Sequence, residues 1–490
     1  MLKFIKGEIK MATGILETTL PIYHNAMDWE AFFKDYPVPD VFAETVFQWP
    51  MNRVRDLQNE RFMKTMQIGW RNEFYRRRWE AAGLQPSDVR GLEDITKLPY
   101  FTSDDIKDDQ KQHPPFGKIQ GVTLADLVTT PMKLQQSGGT TGKPRRTLFG
   151  PIEWELNALT NARSAYIQGA RPGDVMQIPV TCSLANLGWG YYKACLEYLG
   201  VLPLTTGSGV VTPSLRQLQE AFELGTNIWM SFPEYLTKLA EVCRNEMGRD
   251  LRELRTKFLT SFMGPDTEGT LRRQLEEQWG CPVYDNYGAH EIALAGFECQ
   301  KKDGLHLMED CVYFEVIGDD GKPMKSGEDG ELVLTVLYRK IPPMIRYKIR
   351  DRGRIISEKT CACGGTFRRM DHFLGRSDDM VKLRGTNIYP MACLPAIKSD
   401  PRTTGEWVCV VDRLERDGVF REEMTVRVET RQDATNLAGL REHLEKRLLN
   451  DLGAKVTVEL VGTGTLAEFT NVNRVGDVKA KRLLDRRYKK

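Results

Sequence analysis

The sequence predicts an α/β protein with parallel strands, followed by a small α+β domain. Two observations carry this expectation. Between about residues 150 and 280, short apolar runs of strand length alternate with longer runs of helical spacing, the pattern of strand–helix–strand units. After about Glu309 the character changes to β-rich runs, and from about Arg376 to a mixed pattern of strands and one amphipathic helix. A chain of 490 residues has room for two or more domains. The expected division is a large N-terminal unit, residues 1–375, and a small mobile C-terminal unit, residues 376–490.

Residues 51–83 are rich in helix formers, with Val54, Leu57, Phe62, Met66, Trp70, Phe74 and Trp79 at near-helical spacing and Gly83 as the stop. Ser103 before two aspartates predicts an N-cap. The alternating region then predicts helices over 154–170, 188–199, 215–224, 233–247 and 271–278. Strands are predicted over 174–180, 200–204, 227–231 and 259–264. Val312–Ile317 and 332–336, joined by a polar glycine-containing turn, predict an antiparallel subdomain. In the last hundred residues, strands are expected over 407–411, 424–429 and 455–461. A helix carries Leu437, Leu440, Leu444 and Leu448 on one face and stops at Gly453.

Composition narrows the function classes. Charged residues are 28% and apolar residues 41% of the chain, and the formal net charge is +2, so nothing points to nucleic acid or a membrane surface as partner. No apolar run approaches the length of a membrane-spanning helix, and the first ten residues mix charge into apolar positions unlike a signal peptide. A cytoplasmic protein is expected, in which ten cysteines are thiols or metal ligands in preference to disulfides.

The most informative stretch is Ser137-Gly-Gly-Thr-Thr-Gly-Lys143, followed by Pro144, Arg145 and Arg146. Gly138, Gly139 and Gly142 let backbone N–H groups converge on one anion; Ser137, Thr140 and Thr141 add hydroxyl donors and Lys143 a charge. This is equipment for a polyphosphate. Three residues separate Gly138 from Gly142, where the Walker loop has four, and proline follows the lysine. Three further stretches stand beside it: Asp285-Asn-Tyr-Gly-Ala-His-Glu291, Arg346-Tyr-Lys-Ile-Arg-Asp351, and residues 375–390, which include Arg376, Asp378 and Lys382.

In this order the four motifs resemble the adenylate-forming superfamily of acyl ligases, and most closely its phenylacetate–coenzyme A ligase family. The resemblance extends from Leu98-Pro-Tyr-Phe-Thr through Pro115-Phe-Gly and Leu199-Gly-Val-Leu-Pro-Leu to the basic C-terminus. It implies an enzyme that joins a carboxylic acid to ATP as an acyl adenylate, releases pyrophosphate, and passes the acyl group to coenzyme A. Residues 137–143 are then the grip on the β- and γ-phosphates, and Glu291 is the carboxylate holding Mg2+. Asp285, Gly288 and Lys382 fall in the same nucleotide-binding motifs. Tyr287 flanks the adenine, Asp351 accepts the ribose hydroxyls, and Arg376 approaches the nucleotide from the domain boundary. Lys479 matches the C-terminal lysine of the adenylation step, with Lys481 as competitor because Val478 stands where the family has glycine. Asp378 matches the hinge. His290 replaces a threonine or serine and is a candidate catalytic residue, as a neutral nitrogen or a cation, with a ring that points away as the alternative.

Cys299, His306, Cys361 and Cys363 are ligands of zinc-compatible type, though 54 residues separate the second from the third. The resembled family carries a similar set, which implies a structural Zn2+. The acid pocket is expected among residues 184–192, 262–265 and 284–289, with Trp189, Tyr191 and Tyr192 as candidate walls. The expected partner is a small aryl carboxylate, with a homodimer left open. The alternative is an adenylating enzyme that delivers its acyl group to an amine or a carrier-protein thiol.

Overall fold

The computed structural model describes residues 16–136, 145–266, 268–376, 381–383, 386–416, 419–470 and 481–487. Its centre is a nine-stranded sheet. Five strands, Val283–Ala289, Phe258–Ser261, Ile228–Met230, Val175–Gln177 and Leu202–Leu204, lie side by side and parallel. They are short, three to seven residues; Ile228–Met230 and Phe258–Ser261 are buried throughout, as strands covered by helices on both faces must be, while the edge strand Leu202–Leu204 is not. The helix Leu187–Lys193 with its continuation Ala194–Leu199, and the helices Ser214–Leu224, Pro233–Glu246 and Thr270–Trp279, make the crossovers, and the helix Pro151–Gln168 precedes the first of these strands in the chain. On the other side of Val283–Ala289 the sheet continues antiparallel through Ala293–Glu298, Leu305–Leu307, Arg369–Met370 and Ile355–Ser357.

The β-rich region forms a separate four-stranded antiparallel sheet, Val312–Ile317, Gly330–Val336, Met344–Gly353 and Gly375–Arg376. Both α/β and antiparallel expectations agree with this arrangement. The small domain is a long hairpin, Thr403–Arg416 with Val419–Thr430, extended by Thr457–Val461 and Leu483–Asp485 and covered by the helix Leu437–Leu452. That helix buries Leu440, Leu444, Leu448 and Leu452 and ends at Gly453 in the left-handed conformation. Truncating one of these leucines to alanine costs about 2–5 kcal/mol. Leu437, placed on the same face by its spacing, is the first residue of the helix and is 44% exposed.

Two local expectations shift. The helical region over 51–83 is two helices, Met51–Arg71 and Glu73–Ala81, broken at Asn72. The Asn72 side chain accepts from the Phe74 amide and donates to the Ile119 carbonyl, so a buried turn replaces helix continuation. The cap of Ser103–Gln112 is Thr102, one residue earlier than expected, because its hydroxyl and Asp105 close a reciprocal capping box.

One apolar cluster runs from the helices beside the parallel strands, at Leu236 and Trp279, into the small domain at Leu394, Trp407 and Leu444. Lys398 of the small domain is half-buried near Glu234 and Glu241 of the helix Pro233–Glu246. The small domain therefore docks on the helical face of the sheet.

Candidate active site

Val283–Ala289 is the central strand of the nine, and at its carboxyl end the chain turns through His290 and Glu291. Gly288 is needed at this turn. A Cβ on it would lie 2.5 Å from the Ala293 carbonyl oxygen, so only glycine lets the two strands approach.

Tyr287 and Asp351, 64 residues apart, meet here. The buried Tyr287 hydroxyl donates to Asp351 Oδ2 at 2.8 Å, and Arg376 Nη1 donates to Asp351 Oδ1 at 2.9 Å. The pairing of Met344–Gly353 with Gly375–Arg376 sets Asp351 directly opposite Arg376. Burial and the adjacent Asp351 carboxylate push the Tyr287 phenol well up, so it stays a donor. The Tyr287 ring stacks on Phe373 at 6.4 Å.

Glu291 is fully buried, and Arg145 Nη2 stands 2.5 Å from its Oε1. Burial raises the carboxyl's pKa, but Arg145 and then His290 outweigh it and hold it below the ordinary value. Arg145 also donates to the Tyr347 hydroxyl at 3.3 Å, and buried Arg339 donates through Nη1 to the Glu291 carbonyl. Burial pushes the His290 imidazole down to about 4, so of the two forms open from the sequence the neutral ring is the one held here. Its Nε2 has no hydrogen-bond partner among the described residues, and its ring meets Phe149 edge-on at 6.1 Å.

Asp285 has a different task. Its Oδ1 accepts from the Met263 and Asn286 amides and its Oδ2 faces His372 Nδ1 at 3.0 Å, so its carboxylate ties neighbouring loops together. His372 also lies 3.6 Å from Glu298, which Arg272 clamps at 2.8 Å. Arg346 likewise braces the site: it pairs with Glu315 at 2.9 Å and donates to the Thr96 and Leu98 carbonyls, anchoring the segment that begins at Leu98.

Residues 137–143, Asp378 and Lys479 lie outside the described residues, as does the Lys382 side chain, whose backbone is in the strand Val381–Leu383. Lys481 is exposed, and its amide donates to the Phe469 carbonyl at 2.8 Å. Arg145, Tyr347, Arg339, His372 and Phe373 were not singled out as site residues. Two of them carry a sequence signal: Arg145, a cation just after the glycine loop, and Tyr347, inside the stretch that ends at Asp351.

At the antiparallel side of the sheet, the four metal-type side chains converge. The ligand atoms of Cys299, His306, Cys361 and Cys363 all lie within 4.8 Å of one another. The Cys299 and Cys361 sulfurs are 3.8 Å apart, and Cys363 Sγ is 3.5 Å from His306 Nε2. A tetrahedron with metal–sulfur bonds of about 2.3 Å has edges of about 3.8 Å. The donor set and its spacing fit a four-coordinate zinc.

Residues 385–487 match the family model described as AMP-binding enzyme C-terminal domain. The phenylacetate-coenzyme A ligase of Thermus thermophilus is 30% identical, aligned over 88% of this chain and 98% of that protein. The chain belongs to the phenylacetate–coenzyme A ligase family. Family membership makes it an AMP-forming CoA ligase of the adenylate-forming superfamily, with ATP and coenzyme A as the implied co-substrates. A solved 2-hydroxyisobutyryl-CoA ligase in its postadenylation state superposes with a TM-score of 0.78 at 28% identity, covering 90% of this chain and 91% of that one. The same ligase in its thioesterification state, at 29% identity and covering 90% and 91%, gives 0.64. Among the described residues no helix is long and apolar enough to cross a membrane.

Proposed function

We propose that this chain adenylates an aromatic or arylacetic carboxylic acid with ATP and transfers the acyl group to coenzyme A. The observation that carries the reading is the Tyr287–Asp351–Arg376 network beside the Glu291–Arg145 pair. A carboxylate is a poor electrophile until its oxygen joins a good leaving group, and attack on the α-phosphate needs cations and donors fixed in advance. Asp351 accepts from Tyr287 at one oxygen and from Arg376 at the other, and an ionised carboxylate so oriented is the acceptor type that two ribose hydroxyls need. The Tyr287 ring, stacked on one side by Phe373, offers a flat surface for adenine. Glu291, held anionic, is a hard oxygen donor suited to Mg2+, which would take its other ligands from water and phosphate and neutralise charge there. His290, neutral and unpartnered at Nε2, stands where it can hydrogen-bond a reacting oxygen.

Residues 137–143 are assigned the pyrophosphate grip and Lys479 the α-phosphate contact. The mobile small domain is taken as residues 376–490, hinged at Asp378. That the chain superposes better on a postadenylation than on a thioesterification arrangement is consistent with a small domain that rotates between half-reactions. Zn2+ at Cys299, His306, Cys361 and Cys363 would pin the outer strands and take no part in the chemistry. The compartment proposed is the cytoplasm, where the ten free thiols stay reduced.

The test is a panel of aryl, arylacetic and short hydroxy acids, scored by pyrophosphate release with and without coenzyme A. Fastest release with aryl or arylacetic acids, and a thioester only when coenzyme A is present, is expected. Preference for the short hydroxy acids would overturn the aromatic assignment; adenylate without thioester would overturn the acceptor.

A further inference from the structure

We propose that the cavity around Lys133 reads the far end of the acid and selects substrates that carry a second carboxylate there. The proposal rests on the acid–CoA ligase reading above and adds a substrate class to it. Lys133 opens the strand Lys133–Gln136 and pairs in register with Phe149 on Arg146–Phe149, so the two side chains leave the same face of the ribbon. Phe149 is fully buried. Its ring meets His290 at 6.1 Å on one side and Trp154 at 6.4 Å on the other. The Lys133 ammonium lies beyond it, 5.1 Å from the Trp154 ring and 4.5 Å from the Trp189 ring.

Lys133, Phe149 and Trp154, with Tyr23 and Met132, line a cavity of about 130 Å³. That is close to the ~150 Å³ in which a protein interior takes up benzene. Aromatic walls suit the body of an aryl acid, and the ammonium at the far end suits an anion. Among the described residues no carboxylate lies within hydrogen-bonding or ion-pairing distance of Lys133. The two acids nearest in sequence to Trp154 are committed elsewhere. Glu153 accepts from the Lys340 and Ile341 amides, and Glu155 pairs with Lys193 at 2.8 Å and accepts from Tyr23 and Tyr198. Burial pushes the Lys133 ammonium's pKa down, and the neighbouring Cys182 thiol offsets this only in part. Two indole faces hold the charge in place, so a guest carboxylate meets a pre-oriented partner.

The position of Phe149 orders the contacts along the acid. The carboxyl group to be activated belongs at the His290–Glu291 side, and the second carboxylate at the Lys133 side. The experiment compares kcat/KM for 1,4-phenylenediacetate and for phenylacetate in wild type, Lys133→Met, Lys133→Arg and Lys133→Glu, by pyrophosphate release. The wild type is expected to favour the diacid. Lys133→Met should lower the diacid-to-monoacid ratio about tenfold, chiefly through KM. Lys133→Arg should keep the ratio, and Lys133→Glu should shift preference to 4-(aminomethyl)phenylacetate. An unchanged ratio in Lys133→Met overturns the proposal. So does an equal loss on both acids with a lower melting temperature, which would make Lys133 a cap on the two indoles. Wild-type enzyme that is active on phenylacetate yet indifferent to the diacid overturns the selectivity and leaves the ligase reading standing. Wild-type inactivity on every acid in the panel overturns that reading, and this proposal with it.

Discussion

Two clusters of side chains are built by opposite rules. Around Val283–Ala289, hard oxygen donors and cations meet: Glu291 with Arg145, and Asp351 with Tyr287 and Arg376. At the antiparallel side, three thiols and an imidazole close on a point, within 4.8 Å of one another. The first set is oriented by its own counterions, and its carboxylates are the acceptor type a nucleotide or a hard cation needs. The second has four ligands and four directions, a closed set with no place for substrate. Chemistry needs the first arrangement, and architecture is served by the second.

Substitutions can break that contrast, the most damaging first. Asp351→Ala should lower kcat/KM for ATP by about 10²–10³-fold, the cost of removing the proposed ribose acceptor and its charge-assisted contact with Arg376. A loss below about tenfold would remove Asp351 from the nucleotide site. Lys479→Ala should abolish pyrophosphate release and spare thioester formation from supplied acyl adenylate; equal loss of both half-reactions would sink the assignment. At the thiol cluster, elemental analysis should find one zinc per chain. Cys361→Ser should lower the melting temperature by about 5 °C or more while leaving KM for ATP within about twofold. A shift of KM instead would break the division of labour between the clusters.

A smaller effect tests Tyr287. Tyr287→Phe keeps the stacking ring and removes one donor to Asp351, which should raise KM for ATP by about fivefold. The smallest is a pH effect at His372. Burial lowers its pKa, but Asp285 and Glu298 outweigh burial and leave it raised above the ordinary value. A group with a raised folded pKa contributes stability that is full below its unfolded value and fades as pH climbs through the folded one. Wild type should therefore lose stability of order 1 kcal/mol above about pH 6.5 relative to His372→Gln, by denaturant titration at several pH values. Parallel curves for the two proteins would remove the Asp285–His372 tie.

The sequence made much of this legible. Strand and helix alternation placed the crossover units, since an apolar run of three or four residues between helices has no other way to be buried. Glu291, Tyr287, Asp351 and Arg376 were all named from motifs, and the structure brings the last three into direct contact. Asp285 was named beside them, and its carboxylate is engaged in holding loops. No pattern in the chain separates an acid that meets a ligand from one that meets the amides of Met263 and Asn286. Phe373, His372 and Arg339 carried no motif, because their importance lies only in what they pack against.

By itself the sequence determined the family, the order of the elements, and the kinds of donor available at each motif. It did so because spacing and residue chemistry are local properties, readable within a few turns of chain. Only the tertiary structure decided which donors share a site. Asp351 reaches Tyr287 across 64 residues and Cys361 reaches Cys299 across 62, through pairings of distant strands. It also decided protonation. Burial keeps His290 neutral, and Arg145 keeps Glu291 charged. Both depend on which charges the fold places nearby and how much water it excludes.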